Sequence, residues 1–189
     1  MSVLLSGFVA FGELRSNPTE RLVDTLESEA VNTILLPVSY ERAFTELEQA
    51  IHILSPDTLI MTGVASKRKC ISLERIGINI IDAEIPDNDG VGINGTNIDA
   101  SGADGIFSNI DLQKIYHKYD HKNLLPLEIS NTAGSYVCNY LYYKALNQFK
   151  NSMDIIFIHV PLTSDDDPNS TIKFQELEMS MRLLVSLMC

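Results

Sequence analysis

Four short stretches, at residues 3–8, 33–38, 58–63 and 154–160, are almost continuously apolar. A strand with one wet face alternates apolar and polar residues, whereas a strand covered on both faces does not. These runs predict a largely parallel sheet with helices packed on both sides. Helical patterns fill the intervals. Asn17-Pro18-Thr19-Glu20 supplies an N-cap, a proline at the first helical position and a glutamate at N3, with Leu22, Val23 and Leu26 as the apolar face. In residues 40–54, Ala43, Phe44, Leu47, Ala50, Ile51 and Leu54 recur at helical spacing. Residues 135–149 and 170–188 read as two further helices, the last carrying Ile172, Leu177, Met181, Leu184, Val185 and Met188. The fold class is α/β.

The middle of the chain is different. Residues 71–81 alternate weakly and predict a strand or one arm of a hairpin, ending in the turn-rich Ile85-Pro86-Asp87-Asn88-Asp89-Gly90. From there to Ser108 the chain is rich in Gly, Asn, Asp and Ser, and reads as a long connection lying on the sheet. With 189 residues and no internal repeat, one domain over residues 1–189 is expected.

A net charge of −11 argues against nonspecific nucleic-acid binding, which needs clustered Lys and Arg. No apolar run approaches the ~20 residues of a membrane span. The apolar start, Met1-Ser2-Val3-Leu4-Leu5, has no basic region before it and reads as a first strand rather than a signal peptide. Three scattered cysteines, Cys70, Cys138 and Cys189, form no disulfide framework and leave at least one thiol free, so a cytoplasmic protein is expected. Asp165-Asp166-Asp167 reads as a solvated acidic loop capping the last helix, and no metal site is expected.

Cys138 follows an apolar run and the turn Asn131-Thr132-Ala133-Gly134, which places its thiol in the opening turns of a helix. Free N–H groups and the helix dipole favour a thiolate there, the nucleophilic form. A buried cysteine acting as a small hydrophobe is the plainer alternative. A thiol nucleophile needs a base and a group that orients the base. His159, at the C-terminal end of the last apolar run, is the candidate base, against a core histidine satisfied by a backbone carbonyl. Glu74 is the candidate orienter, against pairing with Arg75 or Arg68 or facing water.

Taken together, these segments resemble the pyroglutamyl peptidase I family of cysteine peptidases. The resemblance runs through Gly7-Phe8, Phe11-Gly12, Asn17-Pro18, Leu36-Pro37-Val38, Glu41-Arg42-Ala43 and Glu74-Arg75-Ile76-Gly77-Ile78-Asn79. It continues in Ile85-Pro86-Asp87-Asn88-Asp89-Gly90, Ser130-Asn131-Thr132-Ala133-Gly134, Cys138-Asn139 and Phe157-Ile158-His159-Val160-Pro161. It implies a three-layer α/β/α sandwich with a mostly parallel, mixed central sheet, and a Glu74–Cys138–His159 triad. It also implies a ring pocket walled by Phe8 and Phe11, with Val64 and Tyr136 as further substrate contacts. The implied substrates are N-terminally pyroglutamylated peptides, no cofactor is required, and a homo-oligomer, commonly a tetramer, is expected. Two loops depart from the family pattern. The usual G-Q-A-G-G-R reads Gly63-Val64-Ala65-Ser66-Lys67-Arg68, and the usual P-F-G-G reads Ala10-Phe11-Gly12-Glu13. Val64, Ser66 and Lys67 motivate one alternative, an amidase or peptidase retuned to another small cyclic acyl group; a second alternative is a non-catalytic binding protein on the same scaffold.

Overall fold

The computed structural model describes residues 2–12 and 14–188, so Glu13 and Cys189 lie outside the described residues. In chain order the elements are β1 (Val3–Phe8), α1 (Pro18–Leu26), β2 (Val31–Leu36), α2 (Tyr40–Leu54), β3 (Thr58–Val64), β4 (Ile71–Glu74) and β5 (Ile76–Ile78). They continue with β6 (Gly105–Phe107), α3 (Leu112–Lys118), β7 (Leu127–Ser130), α4 (Val137–Phe149), β8 (Asp154–Val160) and α5 (Phe174–Met188). Six strands form one sheet in the order β2-β1-β3-β8-β4-β7. All pairs in it are parallel except β4 with β8.

The period of two along each strand sorts side chains onto two faces. Val3, Leu5, Ile60, Ile156 and Ile158 pack with α1, α3 and α5 on one face. Leu4, Leu59, Met61, Ile155 and Phe157 pack with α2 and α4 on the other. This is why the strand runs are apolar without alternation: both faces are covered. The α1 start forms as its sequence predicts, with the Asn17 side chain accepting from Thr19 N and Glu20 reaching back in a capping box.

Several boundaries differ from expectation, each for a local reason. The 71–81 arm breaks at Arg75, whose N–H donates to Ser130 O while its carbonyl accepts from Ser108 N. Beyond that point the chain leaves the main sheet, and β5 pairs with β6 in a two-stranded ribbon. The excursion lies over α4 rather than on the sheet. Asn139, fully buried on α4, accepts from Ile78 N and donates to Ile78 O and Ile80 O. Gly77 comes so close to α4 that a Cβ there would sit 3.0 Å from Tyr143 Cα. Replacing Asn139 with alanine strips these bonds from partly buried backbone groups and is expected to cost roughly 2–3 kcal/mol in urea unfolding; a loss under about 0.5 kcal/mol would show that the ribbon is held otherwise.

The helix bearing Cys138 starts at Val137 rather than Ser135, because the Ser135 hydroxyl donates to Asp82 O instead of joining the helix. The last helix starts at Phe174, since Ser170 donates to Leu162 O and Ile172 O accepts from Ser164 N. The acidic loop does not cap that helix. Asp166 accepts from Thr163 N, Thr163 Oγ1 and Ser16 Oγ, and Asp165 pairs with Arg21, which ties the loop to α1. The short α3 has too few turns to show a period and starts on Asp111, whose side chain accepts from Lys114 N. No described helix is long and apolar enough to cross a membrane.

Candidate active site

Three strands bring the candidate residues to one face of the sheet. Gly63 on β3 is in register with His159 on β8, and His159 faces Ser72 across the antiparallel pair with β4, where Glu74 faces Phe157. Paired residues in a sheet share a face, so Gly63, Phe157, His159 and Glu74 all present toward α4. Cys138 meets them from above, as the second residue of α4. A Cβ added to Gly63 would lie 2.9 Å from Cys138 Sγ and 2.9 Å from the Phe157 ring. The absent side chain at Gly63 is thus what lets the thiol settle onto the sheet, one strand spacing (about 4.8 Å) from the strand that carries the imidazole.

His159 is 5% exposed, and its Nδ1 lies 2.8 Å from Glu74 Oε1. A carboxylate can only accept, so Nδ1 carries the proton and Nε2 keeps a free lone pair. The Phe157 ring packs 4.8 Å from the imidazole centroid and fixes its other side. Glu74 is fully buried, and its Oε1 also accepts from Arg68 Nη1 at 2.7 Å. Arg68 in turn donates from Nη2 to Thr132 O, in the turn leading to Cys138. Of the pairings considered for Glu74, the structure realises Arg68 and His159 together. Its Oε2 is buried without a hydrogen-bond partner among the described residues. A charge held this deeply needs the guanidinium beside it.

The state of the thiol differs from the helix-start expectation. Burial, followed by the nearby Glu74 carboxylate, pushes the Cys138 thiol up to about 12. The α4 terminus does leave its first N–H groups open, since Tyr136 caps it with extended backbone and no side-chain bond. Desolvation outweighs that contribution. No hydrogen bond joins Sγ to His159 among the described residues, and burial holds the resting thiol toward its neutral form.

Phe8, Phe11, Val64, Tyr136 and Cys138 line one small pocket, completed by Asn17, Val38 and Val137. Every substrate contact expected from the sequence therefore lies beside the thiol. The pocket is narrow, with a cavity volume of about 10 Å³, room for about one water. Phe11 and Tyr136, with centroids 5.9 Å apart, close its mouth. Tyr136 is steadied by its hydroxyl bond to Pro86 O at 2.9 Å. Phe8 belongs equally to the core, at 2% exposure with its N–H bonded to Thr19 Oγ1. Of the altered loop, only Val64 reaches this pocket; Ser66 and Lys67 are exposed and line a different cleft. Sequence reasoning gave Gly63, Asn17 and Val38 no place in the site, although Asn17 reads as the α1 N-cap and all three fall in segments set against the family pattern.

Gly63→Ala is expected to displace Sγ and lower turnover by about 10²-fold or more, as misplaced reacting groups do, while unfolding stays cooperative. A variant with near-normal kcat would mean that the contact at Gly63 does not position the thiol.

The pyroglutamyl peptidase family model matches residues 1–186. The chain belongs to the pyroglutamyl peptidase family. Within that family, the pyrrolidone-carboxylate peptidase of Oceanobacillus iheyensis is 38% identical over 167 residues, covering 84% of this chain and 83% of that protein. Its counterpart in Pyrococcus furiosus is 38% identical over 169 residues, covering 85% and 81%. Among solved structures, pyrrolidone carboxyl peptidase from Thermococcus litoralis superposes with a TM-score of 0.93 at 31% identity, over 99% of this chain and 92% of that one. Pyroglutamyl peptidase I from Bacillus amyloliquefaciens gives 0.91 at 26% identity, over 100% and 95%. The mixed six-stranded sheet flanked by helices is thus the architecture of this peptidase family.

Proposed function

We propose that the protein hydrolyses the bond after an N-terminal pyroglutamyl residue, with Cys138 as nucleophile, His159 as base and Glu74 as the group that orients the base. The observation that carries this reading is the thiol beside a pocket of Phe8, Phe11, Val64 and Tyr136, on the same sheet face as an imidazole whose Nδ1 is held by Glu74. The uncharged ring enters between Phe11 and Tyr136. A linear N-terminal residue would bring an ammonium group into an apolar slot, which desolvation disfavours.

With the thiol neutral at rest, the proton moves during attack. His159 Nε2 takes the Sγ proton as sulfur bonds to the carbonyl carbon, and the Glu74 carboxylate stabilises the imidazolium so formed. Open N–H groups at the start of α4 receive the oxyanion. The C–N bond breaks as His159 returns the proton to the leaving amine, which leaves a thioester on Cys138. Water then attacks that carbonyl with His159 taking its proton, the C–S bond breaks, and Sγ recovers the proton as free pyroglutamate departs. Arg68 stays paired with Glu74 throughout.

The test is mass spectrometry of a peptide with N-terminal pyroglutamate after incubation with the protein. Loss of that one residue is the expected product; an intact peptide, or removal of further residues, contradicts the proposal. We further infer a cytoplasmic homo-oligomer, a tetramer on the family resemblance. The exposed apolar side chains of Ile53 and Phe107 support association, and sedimentation tests it.

A further inference from the structure

Lys67-Arg68-Lys69 gathers three of the 14 Lys and Arg residues of a chain whose net charge is −11. These three side chains, with Ser66, line a cleft of about 350 Å³ whose other wall is Leu162 and the loop from Asp167 to Ile172. Lys67 and Lys69 are exposed, and neither has a carboxylate partner among the described residues. The one acidic group in the wall, Asp167, has its Oδ1 occupied by the N–H and side-chain amide of Asn169. The hydroxyls of Ser66 and Thr171 add donors. An open, hydroxyl-lined cleft with unpaired cations, on an otherwise acidic protein, is built to receive an anion.

The cleft also has a defined place relative to the thiol. Val64 lines the ring pocket and Lys67 lines the cleft. They are three positions apart in the chain, so their Cα atoms are at most about 11 Å apart. On the opposite strand, His159 is followed three residues later by Leu162 in the cleft wall. The cleft thus lies within about 11 Å of chain from both the ring pocket and His159.

We propose that this cleft binds a carboxylate of the leaving peptide one to three residues beyond the scissile bond, so that the enzyme favours short or acidic pyroglutamyl peptides. The proposal rests on the assignment of Cys138 and His159 above. Its chemistry is a carboxylate held by two lysine ammonium groups, from either the peptide C-terminus or an Asp or Glu side chain.

The test compares matched substrates within each protein. Pyroglutamyl-alanyl-alanine is set against its C-terminal amide, and pyroglutamyl-alanyl-glutamate amide against pyroglutamyl-alanyl-glutamine amide. The acid of each pair is expected to have a kcat/KM about fivefold higher at low ionic strength, the size of two partly exposed ion contacts. That ratio should shrink with added salt and fall to about one in Lys67→Gln/Lys69→Gln, and return in Lys67→Arg/Lys69→Arg. A preference in the first pair alone assigns the C-terminus, and in the second alone a side chain. Equal rates within both pairs, or a preference that survives the glutamine variant, overturns the proposal. The same pairs titrated calorimetrically into the Cys138→Ala protein read the preference without turnover, so a failure of cleavage indicts the triad and a failure of discrimination indicts the cleft.

Discussion

Replacing Cys138 with alanine is expected to lower hydrolysis of a fluorogenic pyroglutamyl amide by about 10⁴- to 10⁶-fold, the range seen when a covalent nucleophile is removed. The loss should fall on kcat, because the walls of the ring pocket contributed by Phe8, Phe11, Val64 and Tyr136 remain in place. The fold should persist. Alanine is a better helix former than cysteine in the first turn of α4, and the shortened side chain brings no new atom against Gly63. Thermal unfolding within a few degrees of the parent, together with the kinetic loss, separates a missing nucleophile from a damaged structure. Residual activity within tenfold of the parent would show that the thiol does no chemistry.

Glu74→Gln should act almost as strongly on turnover and in the opposite direction on the thiol itself. The carboxylate fixes the Nδ1–H tautomer of His159 and stabilises the imidazolium; a neutral amide does neither, and a loss of about 10³- to 10⁴-fold in kcat is expected. The Glu74 charge is also the second cause, after burial, of the raised thiol. Removing a negative neighbour makes the thiolate less unfavourable, so the thiol shifts downward and more thiolate is present at any given alkaline pH. Iodoacetamide should therefore label Cys138 faster in the variant than in the parent between about pH 8 and 10, while peptide hydrolysis falls. If labelling and turnover declined together, Glu74 would be holding the site in shape rather than orienting His159.

The sequence made the layered fold legible because both faces of the sheet are buried, so the strand runs of β1, β3 and β8 carry unbroken hydrophobicity with no competing pattern. Capping chemistry placed α1 to the residue, since Asn17, Pro18 and Glu20 each have one satisfactory role there. Local rules failed where tertiary bonds set the outcome. The end of β4 at Glu74 depends on Arg75 pairing with Ser130 and Ser108, which are distant in the chain. The excursion rests on α4 through Asn139, a polar residue whose partners no periodicity could name.

The candidate site was legible in its membership and less so in its electrostatics. Cys138, His159 and Glu74 were readable as residue types at the ends of elements, and the structure brings all three to one face. The protonation of the thiol was not readable. A helix start argues for a thiolate, but burial and Glu74, brought in from β4, argue more strongly against it. Arg68 was readable only as one of two cations near Glu74, whereas the fold makes it the link between Glu74 and Thr132.

The most direct test of the central claim is the initial rate of amine release from a fluorogenic pyroglutamyl amide and from the matching prolyl amide, which has the same ring size but a charged nitrogen and no ring carbonyl. The proposed pocket and nucleophile require cleavage of the pyroglutamyl compound and none of the prolyl one. No release from the pyroglutamyl amide, or comparable rates from both, would contradict the account.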